Sequence, residues 1–251
     1  MKVGVQIHPQ NTSVADLRAA WQEIDELGVD SLWTWDHFFP PLYGDPDDSH
    51  FEGWQLLAAM AVTTRHVSQI GMLVTGNGYR NPDLLADMAR TFDHLSGGRG
   101  VLGIGAGWSE RDCVEYGYPV PTVAESFDAL EASITRIRRR LSALRPGPLG
   151  PLPILIGGNG ERRTLRLVAE YADMWNGFGD PKTFAAKSAA LDRWCDQLGR
   201  DPSSIERTVW VPRVDQAEIS EFVSAGATHI ILGLPAPYDL GKVRRLVELR
   251  G

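Results

Sequence analysis

Two clusters in this 251-residue sequence carry groups able to act on a bound ligand. The first is Asp36-His37, inside the run Leu32-Trp33-Thr34-Trp35-Asp36-His37-Phe38. An imidazole exchanges a proton near neutral pH, and an adjacent carboxylate can orient it or raise its pKa. Such a pair also occurs in plain surface turns, but here it follows a strand-like run and sits beside tryptophan. The second cluster is Gly157-Gly158-Asn159-Gly160, followed by Arg162 and Arg163 at the start of a helical pattern. Glycines let backbone approach a phosphate closely, and a helix N-terminus supplies free N–H groups and a positive dipole end. Arg162 or Arg163 would add a charge-assisted contact. A simple glycine turn is the alternative, and the density of glycine at a strand exit argues against it. The turn has neither the Lys-Ser/Thr ending of a Walker loop nor the spacing of a dinucleotide fingerprint.

Other residues frame these two. Gly103-Ile104-Gly105-Ala106-Gly107 approaches the dinucleotide fingerprint but lacks the third glycine at the required offset. We read its glycines as strand and exit positions where a ring or another backbone comes close. Trp35, Trp54, Trp108 and Trp175 lie near strand exits and would suit the walls of a planar ligand, with His8 as further pocket lining. Trp33 reads as core. Glu110, Glu115 and Asp36 form no convincing glycosidase-type pair. The histidines and carboxylates give no metal-ligand set, and Cys113 and Cys195 stand far apart, outside any disulfide or zinc spacing.

The elements that must position these groups alternate regularly. Strand patterns cover Lys2–Ile7, Ser31–Trp35, Gln69–Thr75, Gly100–Ala106, Pro153–Gly157, Met174–Gly177, Thr208–Val211 and His229–Leu234. Helical patterns cover Ser13–Leu27, Gly53–Thr64, Asp83–Ser96, Ala124–Leu144, Arg162–Tyr171, Pro181–Leu198, Gln216–Ala225 and Asp239–Leu249. Eight such pairs predict an α/β fold, a closed (β/α)8 TIM barrel forming a single domain over residues 1–251. The turns that enter strands are brief and glycine-bearing, at Gly28, Gly97-Gly98 and Gly226. The strand exits carry His8, Asp36-His37, Thr75, Gly107-Trp108, Gly157–Asn159 and Asn176. Polar and aromatic residues at the carboxyl ends of barrel strands mark an active-site face, so this asymmetry predicts an enzyme. The loop 39–51 follows Asp36-His37 and is expected to form a wall or lid. Arg145–Pro153 reads as a stiff connection.

Composition narrows the partners. A net charge of −7 disfavours nonspecific nucleic-acid binding and leaves no polybasic membrane patch. The run Arg138-Arg139-Arg140 reads as a solvated helix face. No run approaches 18 apolar residues, and Met1–Val5 leads straight into a strand, so a cytoplasmic protein acting on a small molecule is expected.

With these segments in place, the sequence resembles the luciferase-like monooxygenase superfamily, and within it the F420-dependent oxidoreductases of actinobacterial type. The carrying stretches are Ser31–Phe38, Ile70–Gly76 with Tyr79-Arg80-Asn81-Pro82, Asp93–Arg99, Gly103–Trp108, Ile154–Leu165 and Ala172–Asn176. The resemblance implies a deazaflavin, coenzyme F420, over the barrel mouth, with FMN as the alternative cofactor. It implies hydride transfer between the deazaflavin C5 and a small organic substrate, with His37 at the reactive ring, oriented by Asp36. It places a cis peptide at Leu73–Val74, ahead of Thr75, behind the ring, lines the ring site with Gly105-Ala106-Gly107-Trp108, and puts a phosphate at Gly157–Gly160 and Arg162. Barrels of this superfamily often pair, so a homodimer is implied too. Two departures stand out. F420-dependent sugar-phosphate dehydrogenases carry an acidic residue where Trp108 stands, which leaves the acid role unassigned. Many relatives also have a longer insertion where Arg145–Pro153 lies. An FMN-dependent monooxygenase and a non-catalytic cofactor-binding protein are the competing readings.

Overall fold

The alternation holds along the chain in the computed structural model, which describes residues 1–42 and 44–250. Strand β1 (Lys2–Ile7) leads to helix α1 (Val14–Glu26), β2 (Ser31–Thr34) to α2 (Gly53–Thr63), and β3 (Gln69–Met72) with β4 (Thr75–Gly76) to α3 (Pro82–Ser96). Next come β5 (Gly100–Gly105), a short α4 (Glu110–Glu115), α5 (Val123–Ala143), β6 (Ile154–Gly157) and α6 (Thr164–Tyr171). The chain continues through β7 (Met174–Gly177), α7 (Pro181–Leu198), β8 (Glu206–Val211), α8 (Gln216–Ser224), β9 (His229–Leu234) and α9 (Leu240–Glu248).

All strand pairings are parallel, and β1 lies between β2 and β9. Pairing of β3 with β5 closes the ring. Strands β3 and β4 are two halves of one barrel stave, interrupted at Leu73–Val74, so the sheet has the eight staves of a (β/α)8 barrel. The Leu73–Val74 peptide is cis, as the resemblance implies. The fourth crossover departs from expectation, because it contains α4 where the sequence reading has only loop.

Strands buried on both faces read as continuous apolar runs, as parallel sheets require. One face fills the barrel interior with Trp33, Val101, Leu155, Met174 and Ile231. The other, with Val5, Ile70, Ile104 and Ile156, packs against the helices. The helices begin on their own capping side chains: Ser13 accepts the Asp16 N–H, Asn81 that of Asp83 before Pro82, and Thr122 forms a reciprocal capping box with Glu125.

The amino-end face of the barrel is tied by two side chains from the Asp93–Arg99 stretch. The fully buried Asp93 carboxylate accepts the N–H groups of Gly100, Leu149 and Gly150, at 3.2, 2.7 and 2.9 Å. Arg99 donates to the carbonyls of Ala61, Thr64, Val67 and Ser96. The connection Arg145–Pro153 is thus held against the α3–β5 turn, at the end opposite the strand exits. Arg138 and Arg140 lie on the exposed side of α5, bonded to the Tyr171 carbonyl and to Asp87.

Candidate functional site

At the carboxyl ends of the strands lies a cavity of about 670 Å³. Its floor is the interrupted stave: Leu73, Val74 and Thr75 line it, flanked by Gly105 and Gly157. These two glycines let Val74 sit there, since a Cβ on Gly105 would stand 2.8 Å from Val74 Cγ2 and one on Gly157 3.2 Å from Val74 Cγ1. Buried within this floor, the Thr75 hydroxyl has no hydrogen-bond partner among the described residues. The Gly157–Gly160 turn and His37 line the same cavity, as do Asp36, Trp35, Gly105, Ala106, Gly107 and Trp108. The two clusters that opened the sequence reading therefore share one space.

The turn is shaped by its surroundings. Gly158 adopts φ 130°, in the region that favours glycine, and its N–H donates to the Asn176 carbonyl at 3.0 Å. Asn159 is fixed by Phe178, donating to its carbonyl at 2.6 Å and accepting its N–H at 3.3 Å. Thr164 packs under Gly160 and opens α6. Among the described α-helices, α6 is the one whose N-cap makes no side-chain hydrogen bond. Its start, with Thr164 in the cavity lining, has no side-chain cap, and the Leu165 N–H donates to the Gly160 carbonyl at 3.0 Å.

The Asp36-His37 pair is organised differently from the expectation. Asp36 does not orient His37. Its buried carboxylate is clamped by Arg80 at 2.6 and 2.9 Å and accepts the Gly76 N–H at 3.2 Å. Burial pushes the Asp36 carboxyl up to about 6, against the pull of Arg80. Both residues lie just past the end of β2 and line the same cavity, but the Asp36 carboxylate is taken up by Arg80 and the Gly76 N–H. The partner of His37 is Asp112, from α4: His37 Nδ1 lies 2.6 Å from Asp112 Oδ2. Asp112 is almost fully buried and also accepts the Phe38 N–H at 3.0 Å and the Tyr79 hydroxyl at 3.0 Å. Burial alone would raise its carboxyl, but the bonds from His37, Phe38 and Tyr79 outweigh it and hold it below its ordinary value. A carboxylate at Nδ1 places the proton there and leaves Nε2 as the nitrogen that meets the cavity. Trp108 packs edge-on against the imidazole, 5.1 Å between ring centres.

Four expected site residues stand outside the cavity lining. His8 stacks behind Trp35 at 4.1 Å, one layer back, where burial drives its imidazole down to about 3 and keeps it neutral. Trp54 lies on the inner face of α2 beneath the Arg80 guanidinium, 5.9 Å from its ring centre. Trp175 packs on Phe184 of α7 and braces the turn from behind, donating Nε1–H to the Gly158 carbonyl at 2.8 Å. Arg162 is exposed on the turn before α6, which starts two residues later than expected. Pro41 and Leu42 bring the loop after His37 to the mouth as a wall, as expected. The sequence reading missed Arg111 of α4, which ties that loop down through the Pro46 carbonyl and Asp47. Asp112 was readable in principle, since Ser109-Glu110-Arg111-Asp112 places an N-cap serine three residues before an acid, and Ser109 does cap α4. No group of three or more His, Cys, Asp or Glu suited to a metal occurs among the described residues.

Comparison with known proteins agrees with this architecture. The phthiodiolone/phenolphthiodiolone dimycocerosates ketoreductase of Mycobacterium bovis is 26% identical over 243 residues, covering 81% of this chain and 62% of the relative. The F420-dependent glucose-6-phosphate dehydrogenase of Amycolatopsis mediterranei is 29% identical over 189 residues, covering 68% of this chain and 54% of the relative. The chain thus spans less than two thirds of the length of these relatives. Among solved structures, an F420-dependent secondary alcohol dehydrogenase in complex with an F420-acetone adduct superposes with a TM-score of 0.88 at 18% identity, covering 99% of this chain and 98% of that one. A family model described as luciferase-like monooxygenase matches residues 1–237, and the chain belongs to that family.

Proposed function

We propose that this protein is a coenzyme F420-dependent oxidoreductase acting on a small organic substrate. The observation that carries the reading is the shared cavity: His37 on one side, the Gly157–Gly160 turn with the uncapped start of α6 on the other, and the Val74 floor between. The residues present fit a planar, anionic-tailed cofactor. The floor is backbone and one valine, the Thr75 hydroxyl is unpartnered, and Gly107 at φ 87° has open space where a side chain would stand. Gly158 to Gly160 and the α6 N-terminus would hold the phosphate, and Val74, Gly105 and Ala106 the ring. When bound, the deazaflavin supplies a carbon that donates or accepts a hydride. His37 would hold or take the proton at Nε2, with Asp112 fixing the ring orientation and tautomer. Asp36 acts at a distance from the proton, through Arg80 and the Gly76 backbone. The F420 dependence of two of the proteins compared above supports the choice of cofactor. Two free cysteines fit a reducing, cytoplasmic setting.

The test is a binding titration with F420 and FMN side by side, followed by oxygen-consumption measurements. Tighter binding of F420 without oxygen uptake is expected. Preference for FMN with oxygen uptake would replace the reading by a monooxygenase. A cofactor-loaded protein that transfers hydride to nothing, and whose His37→Ala variant binds F420 unchanged, would be a carrier.

A further inference from the structure

The cavity walls define the chemistry of what can lie beside His37. Lysine and arginine are absent from its described lining residues. The titratable side chains among them are Asp36, His37 and Tyr79, and Asp36 is already neutralised by Arg80. The polar atoms around the imidazole are largely spent within the protein. Tyr79 donates its hydroxyl to Asp112, Trp35 donates Nε1–H to His50 at 2.9 Å, and Gln6 donates to the Leu73 carbonyl at 2.6 Å. Trp35 and Tyr79 therefore present carbon to the cavity, while His37 keeps Nε2 for a ligand.

The apolar lining also continues outward. Leu42, Trp108 and Phe178 line the cavity yet are 56%, 67% and 51% exposed, so large apolar side chains ring the mouth. Three exposed apolar side chains converging on one cavity mark a binding surface rather than ordinary surface scatter. Beside His37, away from the Gly157–Gly160 turn and the start of α6 assigned to the cofactor phosphate, a phosphorylated or carboxylated substrate would have to shed its hydration with neither a cation nor a helix N-terminus to replace it, which is strongly unfavourable.

From these features we infer that the substrate is an uncharged, predominantly apolar molecule with one hydrogen-bonding oxygen, whose oxygen meets His37 Nε2 and whose hydrocarbon part runs past Leu42, Trp108 and Phe178 to the mouth. This rests on the proposed function, because it names the substrate class for that same site. It sets the chain apart from any protein that selects a sugar phosphate.

The test is calorimetric and separates the two claims. Protein loaded with oxidised F420 is titrated with straight-chain 2-alkanones from four to ten carbons, and with glucose 6-phosphate. With the cofactor oxidised, a ketone binds without turnover. The expected result is a Kd that falls about fourfold per added methylene over the first several carbons, with glucose 6-phosphate binding at least 100-fold more weakly than 2-octanone, by order of magnitude. Leu42→Glu and Phe178→Glu, both at exposed positions that tolerate charge, should flatten the chain-length dependence. A Kd indifferent to chain length, or glucose 6-phosphate binding as tightly as 2-octanone, would overturn the inference while leaving cofactor binding intact. If F420 itself does not bind, the alkanone series is run on the unloaded protein. The fourfold steps there would sustain the apolar-ligand reading and sink only the cofactor assignment, and a flat series would sink both.

Discussion

Replacing Asp112 by Asn tests the arrangement at its least obvious point, because the residue touches neither the cavity nor a ligand. The substitution keeps size and shape but removes the charge and turns one oxygen into a donor. Asp112 Oδ1 serves the Phe38 N–H, and Oδ2 serves both His37 and Tyr79. An asparagine that keeps its oxygen on Phe38 must point its NH2 at His37 Nδ1. The imidazole then accepts at Nδ1 and carries its proton on Nε2, the opposite tautomer. The lost bond is a charge-assisted one, worth about 1.5–3 kcal/mol, and if it acts fully in the transition state kcat falls about 10- to 150-fold. Cofactor Kd should change by less than about threefold, since a uniform loss of binding is a different signature. The assay is single-turnover hydride transfer read from the deazaflavin absorbance, alongside a cofactor titration. A double-mutant cycle with His37→Ala supplies the discriminating readout. If Asp112 works through His37, Asp112→Asn should cost nothing further once the imidazole is gone. Additive losses in the cycle, or an unchanged kcat in a well-folded Asp112→Asn protein, would refute the positioning role.

Other consequences can be measured as stability or affinity. Burial holds the His8 imidazole near 3 against an ordinary 6.5, so its contribution is complete above pH 6.5 and is lost as pH falls toward 3. His8→Phe should therefore flatten the rise of stability with pH between 4 and 6 by about 1.4 kcal/mol per pH unit, seen in urea midpoints. A wild-type-to-variant difference that does not vary with pH would contradict this. Arg80→Met strands a buried carboxylate and should cost about 3–5 kcal/mol. Because the Asp36 carboxyl titrates near 6 beside Arg80 and higher still without it, the deficit should be small below pH 6 and deepen as pH rises above it. Gly103→Ala would set a methyl 1.8 Å from the Met72 carbonyl oxygen, and thermal denaturation should show a loss of about 3 kcal/mol or more. Gly157→Val crowds the floor and should weaken cofactor binding about tenfold, with the circular dichroism spectrum unchanged.

The barrel was legible because its signals are local and repeated. Apolar runs at strands, capping serines and threonines, and glycines such as Gly97 at φ 70° and Gly226 at φ 96° each speak within a few residues. Gathering Asp36-His37 and the Gly157–Gly160 turn on one face followed from their shared position at strand exits. The particulars of the site did not follow. Asp36 is next to His37 in sequence and lines the same cavity, but its carboxylate is claimed by Arg80 and the Gly76 N–H. The true partner lies 75 positions away. Strand alternation within β7 misled at Trp175, which faces α7 while its neighbour Asn176 lines the cavity. His8 sits behind Trp35, and a sequence does not show which of two stacked rings is in front. Arg162 was expected to open a helix, but that helix begins at Thr164, leaving Arg162 in solvent.

The short helix α4 holds two consecutive side chains with different duties. Arg111 grips the loop at Pro46 and Asp47, and Asp112 holds the imidazole. The wall of the mouth and the imidazole proposed to hold the proton are therefore anchored to a common post. Transplanting the loop from another family member, as one would to change substrate range, would also disturb the aim of the imidazole, so selectivity and turnover in this barrel cannot be tuned independently unless α4 travels with the graft.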